Sequence, residues 1–314
     1  MTCTAKSAAM DYAAAVEIFF APAPDDVATP DVVAAGTPAR RLRDAIEPIA
    51  MHDVWSASVN AAMAERGLDF FPAYVVGRAA PLGEVPGAVV AATFGVFEPT
   101  VIGGMWDEGR AKLSPKEMVA LRDRVTGESL RATIGSAASE DAVVAVAEVL
   151  ERAIDAVDGT GRPLFAALRA QPRLADPYSR LWRATDAVRE HRGDSHIAAS
   201  VAAGLDPVRM GILSEVWVGF PVGEYSGTRA WSADAAARGL ARLESDGLIA
   251  DGKITPEGTA FRDAVEKATD TAQDDLLAAV GDDLDSVVEQ TDAWSQLCVE
   301  GDAFPPDIRK RAAG

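Results

Sequence analysis

Cysteine is nearly absent: the 314-residue chain has only Cys3 and Cys298, one near each terminus. That excludes a disulfide framework and a cysteine-rich metal site, and a reducing cytoplasm is the expected setting. Histidine is almost as scarce, with His52, His191 and His196 the whole supply. Long apolar runs are missing as well. Val16 to Ala21 falls far short of the ~20 residues needed to span a bilayer. Asp11 and Glu17 also stand where a secretory signal would be basic and then unbroken. No membrane span and no targeting segment is expected. The chain lacks a P-loop, a dinucleotide fingerprint, a Gly-x-Ser-x-Gly elbow, an EF-hand loop and the His-Glu-x-x-His zinc helix, so no motif specifies a cofactor. Basic residues are outnumbered, 30 Lys and Arg against 48 Asp and Glu, giving a net charge of −18. The average surface therefore repels phosphate backbones, and any nucleic-acid contact must come from a local basic patch.

What the chain does contain is an internal repeat. Arg41, Leu42, Ala45, Ile49 and His52 are answered 139 residues later by Arg180, Leu181, Ala184, Val188 and His191. Gly67-Leu68-Asp69 then matches Gly204-Leu205-Asp206 at offset 137, and Pro81-Leu82-Gly83-Glu84 matches Pro221-Val222-Gly223-Glu224 at offset 140. Matches in the same order at nearly constant offset point to a duplicated unit of about 140 residues. The punctuation of the chain fits two halves. Residues 1–38, rich in Ala, Pro and Asp, read as a poorly ordered extension. The first repeat occupies 39–158, and Gly159-Thr160-Gly161-Arg162-Pro163 leads into a second at 159–300. Residues 301–314 read as a mobile tail.

Apolar spacing makes the chain mainly α. Leu42, Ala45, Ile49 and His52 fall on one helical face that Pro48 kinks or interrupts, and Leu181, Ala184, Val188 and His191 repeat the stripe. Ser114-Pro115-Lys116-Glu117 is a capping-box start for a helix to about Leu130, and Glu140 to Val157 is another helix. Strand candidates are short: Ala73–Val76, Ile212–Val218 unless helical, and the pair Leu248-Ile249 and Lys253-Ile254 around an Asp-Gly turn.

That pair lies in the most recognisable stretch. An Ala-rich amphipathic helix from Ser232 runs through Arg238, Leu240 and Leu243 into Leu243-Glu244-Ser245-Asp246-Gly247-Leu248-Ile249. A tight hairpin and Ile254-Thr255-Pro256-Glu257-Gly258 follow, then a helix with Phe261, Val265, Ala268, Ala272 and Leu276 on one face. Residues 206–280 thereby resemble the winged-helix domain of MarR-type regulators. The resemblance implies a first helix that enters a DNA groove, a hairpin wing and a long helix that helps form a homodimer. Carried onto this chain, the DNA contacts fall to Arg238, Arg242 and Lys253. The whole chain is also similar to a bacterial family labelled helix-turn-helix and of unknown activity. The expected fold is thus mainly α, a duplicated helical unit with at least one winged helix in its C-terminal half.

The densest polar cluster is Arg189-Glu190-His191-Arg192-Gly193-Asp194-Ser195-His196, an inventory suited to proton transfer or to holding an anion or metal. His191 and His196 are about 140° apart on an ideal helix, so they converge only if Gly193 ends or bends it. If the halves pack about a pseudo-twofold axis, His52 and His191 meet across the seam, with His196 and Glu98, Glu190 or Asp194 nearby. Otherwise both are buried imidazoles bonded to backbone. Arg78, beside the turn at Pro81-Leu82-Gly83, either faces an anionic ligand or belongs to a structural loop. Trp55, Trp106, Trp182, Trp217, Trp231 and Trp294, with Phe70, Phe71, Phe94 and Phe97, line a pocket or fill the core.

Three readings follow. The first is a small-molecule-binding protein of duplicated winged-helix type, acting as a MarR-like DNA-binding regulator. The second is a histidine- or metal-dependent small-molecule enzyme working between the halves. The third is a protein-interaction module using the acidic stretch 263–292, where ten Asp and Glu face Lys267 alone.

Overall fold

The computed structural model describes residues 11–25 and 36–313. It is built from helices: α1 (Tyr12–Phe19), α2 (Pro38–Ala50), α3 (His52–Trp55), α4 (Ala57–Ala64), α5 (Phe70–Ala79), α6 (Gly87–Phe94), α7 (Pro99–Lys112), α8 (Pro115–Ile134), α9 (Glu140–Ala156) and α10 (Pro163–Arg169), followed by α11 (Pro177–Ala202), α12 (Pro207–Trp217) and α13 (Ala233–Ser245). Strands β1 (Ile249–Ala250) and β2 (Lys253–Ile254) form an antiparallel hairpin that pairs Ile249 with Ile254. After it come α14 (Pro256–Thr271), α15 (Asp274–Val280), α16 (Leu284–Glu300) and α17 (Ile308–Ala313).

Local chemistry sets most boundaries. Asp, Ser or Thr side chains accept the first free N–H groups of α1, α2, α8, α9, α11, α12, α13 and α14, and Pro opens many of these helices. The capping box at Ser114 and Glu117 forms. Pro48 sits inside α2, which stops two residues later at Ala50. A proline has no N–H to give to the carbonyl four residues back. Here that carbonyl belongs to Asp44, and Arg311 Nε supplies the missing donor at 2.6 Å.

The axis of the molecule is α11, which packs against α2, α8, α9, α10 and α14. One apolar core joins Leu42, Ile46 and Ile49 of α2, Leu130 and Ile134 of α8 and Leu150 and Ile154 of α9 to Leu181, Trp182 and Val188 of α11 and Trp294 of α16. A second gathers α1 and α4–α7 around Phe70, Phe71, Phe94 and Trp106. A third joins α12, α13 and β1. The boundary expected near residue 158 therefore separates chain segments and not cores.

Several expectations change. Ala73–Val76 and Ile212–Val218 lie in α5 and α12 or at its end, because Asp69 and Asp206 start helices there and the short apolar runs are buried helical turns. Within the expected extension, residues 1–10 and 26–35 lie outside the described residues, but α1 is packed, with Phe19 5.1 Å from the Trp55 ring. The expected mobile tail is also tied down. Phe304 is buried, Arg309 pairs with Asp307 at 2.8 Å, and Arg40 Nη2 donates to Ala312 O at 2.9 Å. Composition made both ends look loose, yet a few aromatic and arginine side chains suffice to anchor them. The acidic C-terminal helices pack within the chain, α16 on α2 and α15 on α9.

The matched segments share local geometry at two anchors. Gly67 (φ +75°) and Gly204 (φ +82°) each follow a helix and precede a buried Leu and an N-terminal Asp. Gly83 (φ +74°) and Gly223 (φ +89°) take similar turns. Elsewhere they differ: α11 runs unbroken where α2 stops, and only the second segment has a hairpin.

Candidate ligand-binding cavity

The polar stretch of α11 lies inside the protein, and Arg189, Glu190 and Arg192 in it are paired. Arg78 from α5 grips Glu190 with two bonds of 2.8 Å, and Arg189 reaches Glu47 at 3.1 Å and Glu190 at 2.9 Å. Arg192 pairs with Glu266 and with Asp270, the latter at 3.2 Å. A buried pair of this kind offsets its desolvation only when geometry and further hydrogen bonds are good, and here every member has several partners. Burial alone would raise the carboxyl of Glu190, but Arg78 and Arg189 beside it hold it low. Asp194 is in no ion pair among the described residues, and the more distant charge of Arg78 only partly offsets its surroundings. Burial, with the charge of Glu190, pushes it up to about 7, and it accepts the Phe165 N–H of α10 at 3.0 Å.

The histidines do not converge. Helix α11 continues through Gly193, so His191 and His196 point to different sides. His191 Nδ1 meets Gln273 Oε1 at 2.7 Å with its ring edge-on to Phe165, and burial lowers its pKa to about 4. His196 Nδ1 meets Thr269 Oγ1 at 3.2 Å, and burial with the Arg262 charge holds the ring neutral. His52 bonds Ser129 Oγ at 2.9 Å in a cluster with Ser56 and Ser58, and burial lowers it to about 4. His52 and His191 share no hydrogen-bond partner. The duplicated stripe places each ring against its own neighbours, because α2 breaks at Met51 whereas α11 does not. Among the described residues no cluster of three or more His, Cys, Asp or Glu is arranged to hold a metal.

The space lies instead on the other side of this network. A cavity of about 190 Å³ opens between α2, α3, α5, α6, α11, α12 and the C-terminal segment. One wall is aromatic: Trp55, Phe70, Phe71, Tyr74, Phe94 and Phe97, with Phe19 from α1 and Phe304 from the tail. Cations stand among these rings, Arg43, Arg78, Arg189, Arg192, Arg229 and Lys310 with the single carboxylate Glu47, and Arg78 and Arg229 lie over Phe94 and Phe97 at 4.5 and 5.0 Å. In a chain of net charge −18 that is a local reversal of sign. Mostly apolar walls with a few converging polar groups are what small-molecule sites present.

Of the sequence candidates, Arg78 and His196 line the cavity and Glu190 braces Arg78 from behind. Glu98 caps α7 by accepting Val101 N at 2.7 Å, and its own N–H donates to Arg229 O at 3.0 Å. Asp194, His191 and His52 lie outside the cavity wall. Sequence reading missed Arg43, Arg229 and Lys310, and it placed Arg189 and Arg192 in the polar cluster without naming them as ligand contacts. Arg229 owes its place to Glu215, buried in α12, whose carboxylate accepts the backbone N–H of Tyr225 at 3.0 Å and those of Gly223 and Ser226. That carboxylate folds the loop after α12 over the cavity, a long-range effect that no local spacing announces.

The DNA candidates lie elsewhere. Arg238, Arg242 and Lys253 are exposed on α13 and β2. Arg242 stands 3.8 Å from Asp206, and Arg238 is in none of the ion pairs of the described residues.

A profile of the helix-turn-helix family matches residues 39–305. The chain belongs to that family. No curated protein and no solved structure matches it. The family match runs from the first turn of α2 to Pro305 in the cavity wall, and so includes both the cavity frame and the α12–α13 segment. It leaves out α1 and α17, which supply Phe19 and Lys310 to this helix-turn-helix protein's cavity. Among the described residues, no single helix is long and apolar enough to cross a bilayer.

Proposed function

We propose that this helix-turn-helix protein binds a small organic molecule in the central cavity and passes its occupancy to α13, the helix that would meet DNA. One observation carries the reading: α12 is a wall shared by the two. Met210, Gly211 and Ser214 face the cavity. On the other side of α12, Val208 and Ile212 pack against Gly239 of α13 so closely that a Cβ there would lie 2.5 Å from Val208 Cγ1. A ligand that displaces α12 therefore moves α13, since close-packed helices shift together and do not deform smoothly.

The order α11, α12, α13, hairpin, α14 supports a winged-helix plan for the C-terminal part. Asp251 (φ +50°) and Gly252 (φ +71°) make the tight turn of its wing. The paired turns at Gly67 and Gly204, and at Gly83 and Gly223, support descent from a doubled unit. The small exposed residues of α13, with Arg238 and Arg242, and Lys253 on the wing, make up the proposed DNA face. A homodimer presenting two such faces belongs to the same reading.

Two measurements test it. The uncharged fluorophore phenylnaphthylamine is expected to bind one-to-one and to be excluded by Ser214→Phe, which fills the cavity; binding that survives the substitution sinks the cavity assignment. Fluorescence anisotropy with duplex DNA from upstream of the coding region is expected to show salt-sensitive binding that Arg238→Ala and Arg242→Ala weaken and Ser214→Phe alters. No salt-sensitive binding removes the DNA output while leaving the ligand site intact.

A further inference from the structure

The cavity's charges do not balance, and the imbalance identifies its ligand, given the reading that it binds a small molecule. Four of its six cations are answered by carboxylates: Arg43 by Asp44 at 2.7 Å, Arg78 by Glu190, Arg189 by Glu47, and Arg192 by Glu266 and Asp270. Arg229 and Lys310 are in no ion pair among the described residues. Arg229 lies over the Tyr225 ring at 4.2 Å and the Phe97 ring at 5.0 Å, and among the described residues its side chain donates one hydrogen bond, to Thr228 Oγ1 at 2.8 Å. A guanidinium carries five N–H donors, so most of these remain for a guest. Among the described residues Lys310 donates to main-chain carbonyls, those of Phe19 and Ala21.

Arg229 and Lys310 line the same cavity. Tyr225 stacks on Phe220 at 5.6 Å, and Arg309, next to Lys310, lies 4.2 Å over that same Phe220 ring. The rest of the wall offers flat apolar contact, with Phe71, Tyr74, Phe94 and Phe97 packed at centroid distances of 5.7–6.3 Å.

We propose that the cavity takes a flat cyclic organic anion, its ring body against the aromatic wall and its carboxylate or sulfonate against Arg229, with Lys310 adding positive potential. Such a guest supplies the charge the wall lacks, and its ring replaces water on apolar surface. A neutral guest of the same shape fills the space but leaves Arg229 unanswered. Anion specificity then rests on Arg229 and Lys310, and on the Glu215 clamp that holds the Arg229 loop in place.

The test compares two probes that share a phenylamino-naphthalene body, anilinonaphthalene sulfonate and phenylnaphthylamine, by fluorescence titration of the full chain. The sulfonate is expected to bind about tenfold or more tightly than the neutral probe, a tenfold ratio being about 1.4 kcal/mol. Arg229→Gln is expected to remove most of that preference, lowering the sulfonate's affinity far more than the neutral probe's. Arg229→Lys keeps part of it, and Lys310→Gln reduces it. Equal affinity for both probes in the native protein, or a preference that survives Arg229→Gln with Lys310→Gln, overturns the anion assignment while the cavity stands. Failure of both probes to bind overturns the cavity reading together with this one.

Discussion

Replacing Arg78 with methionine removes one partner of a buried ion pair and leaves the other inside the protein. Glu190 is 1% exposed and takes two bonds of 2.8 Å from this guanidinium, which also lies 4.5 Å above the Phe94 ring and donates to Tyr74 Oη at 3.1 Å. Breaking such a pair from one side costs about 3–5 kcal/mol. Glu190 keeps Arg189 at 2.9 Å, so the expected loss lies near the lower limit, about 3 kcal/mol. Methionine fills part of the stem's volume and keeps cavity terms small. Adding Glu190→Gln removes the stranded charge, and Arg189 still has Glu47. The double variant is therefore expected to be more stable than Arg78→Met alone by about 2 kcal/mol, although it carries one more substitution. Urea unfolding followed by circular dichroism, with equal slopes checked across variants, reads these differences directly. A single-variant loss below about 1 kcal/mol, or losses that simply add, would refute the claim that the pair is electrostatically closed.

Burial holds His52 at a pKa of about 4, below the unfolded value of about 6.5. The unfolded chain thus binds more protons between those limits, and stability falls as pH drops from about 6.5 to 4; His52→Gln should remove up to about 3 kcal/mol of that fall. An unchanged difference in urea midpoint between pH 7 and pH 4.5 would count against it. Asp194 has the opposite sign. Held at about 7, it keeps a proton that the unfolded chain has released above about 3.9, so its contribution is lost as pH rises toward 7. Asp194→Asn, which still accepts the Phe165 N–H, should therefore gain stability at pH 8 relative to pH 5, and an equal effect at both would rule this out. Gly87→Ala should cost more than about 2 kcal/mol, because its Cβ would lie 2.8 Å from Gly103 Cα where α6 crosses α7. Gly104→Ala, whose Cβ meets nothing within 4 Å, should instead gain up to about 1 kcal/mol of helix propensity. Thermal melts of the pair with the same sign would refute the packing argument.

Helix content and several helix starts were read from the sequence because caps and prolines act within a few residues, as at Ser114 with Glu117 and Thr255 with Pro256, whereas the same signal at Asp176-Pro177 and Asp206-Pro207 was passed over. The hairpin at Asp251-Gly252 was readable for the same reason, since its turn needs left-handed backbone. Of the ten aromatics read as lining a pocket or filling the core, Trp55, Phe70, Phe71, Phe94 and Phe97 line the cavity with Arg78, while Trp106, Trp182 and Trp294 lie buried in the core.

Only tertiary packing decided the rest. His52 and His191 occupy equivalent sequence positions, yet Pro48 ends one helix while the other continues, so the two imidazoles face unlike surroundings. The tail looked loose because its composition says nothing of Asp44, whose carbonyl, freed by a proline four residues on, receives Arg311 from 267 positions away. Arg229 and Lys310 carry no local signal either; their meaning comes from the carboxylates they lack, and that is fixed by which side chains the folded chain brings within a few ångströms. Local hydrogen bonding chose the helices, and long-range charge pairing chose where the cavity and its unanswered cations would lie.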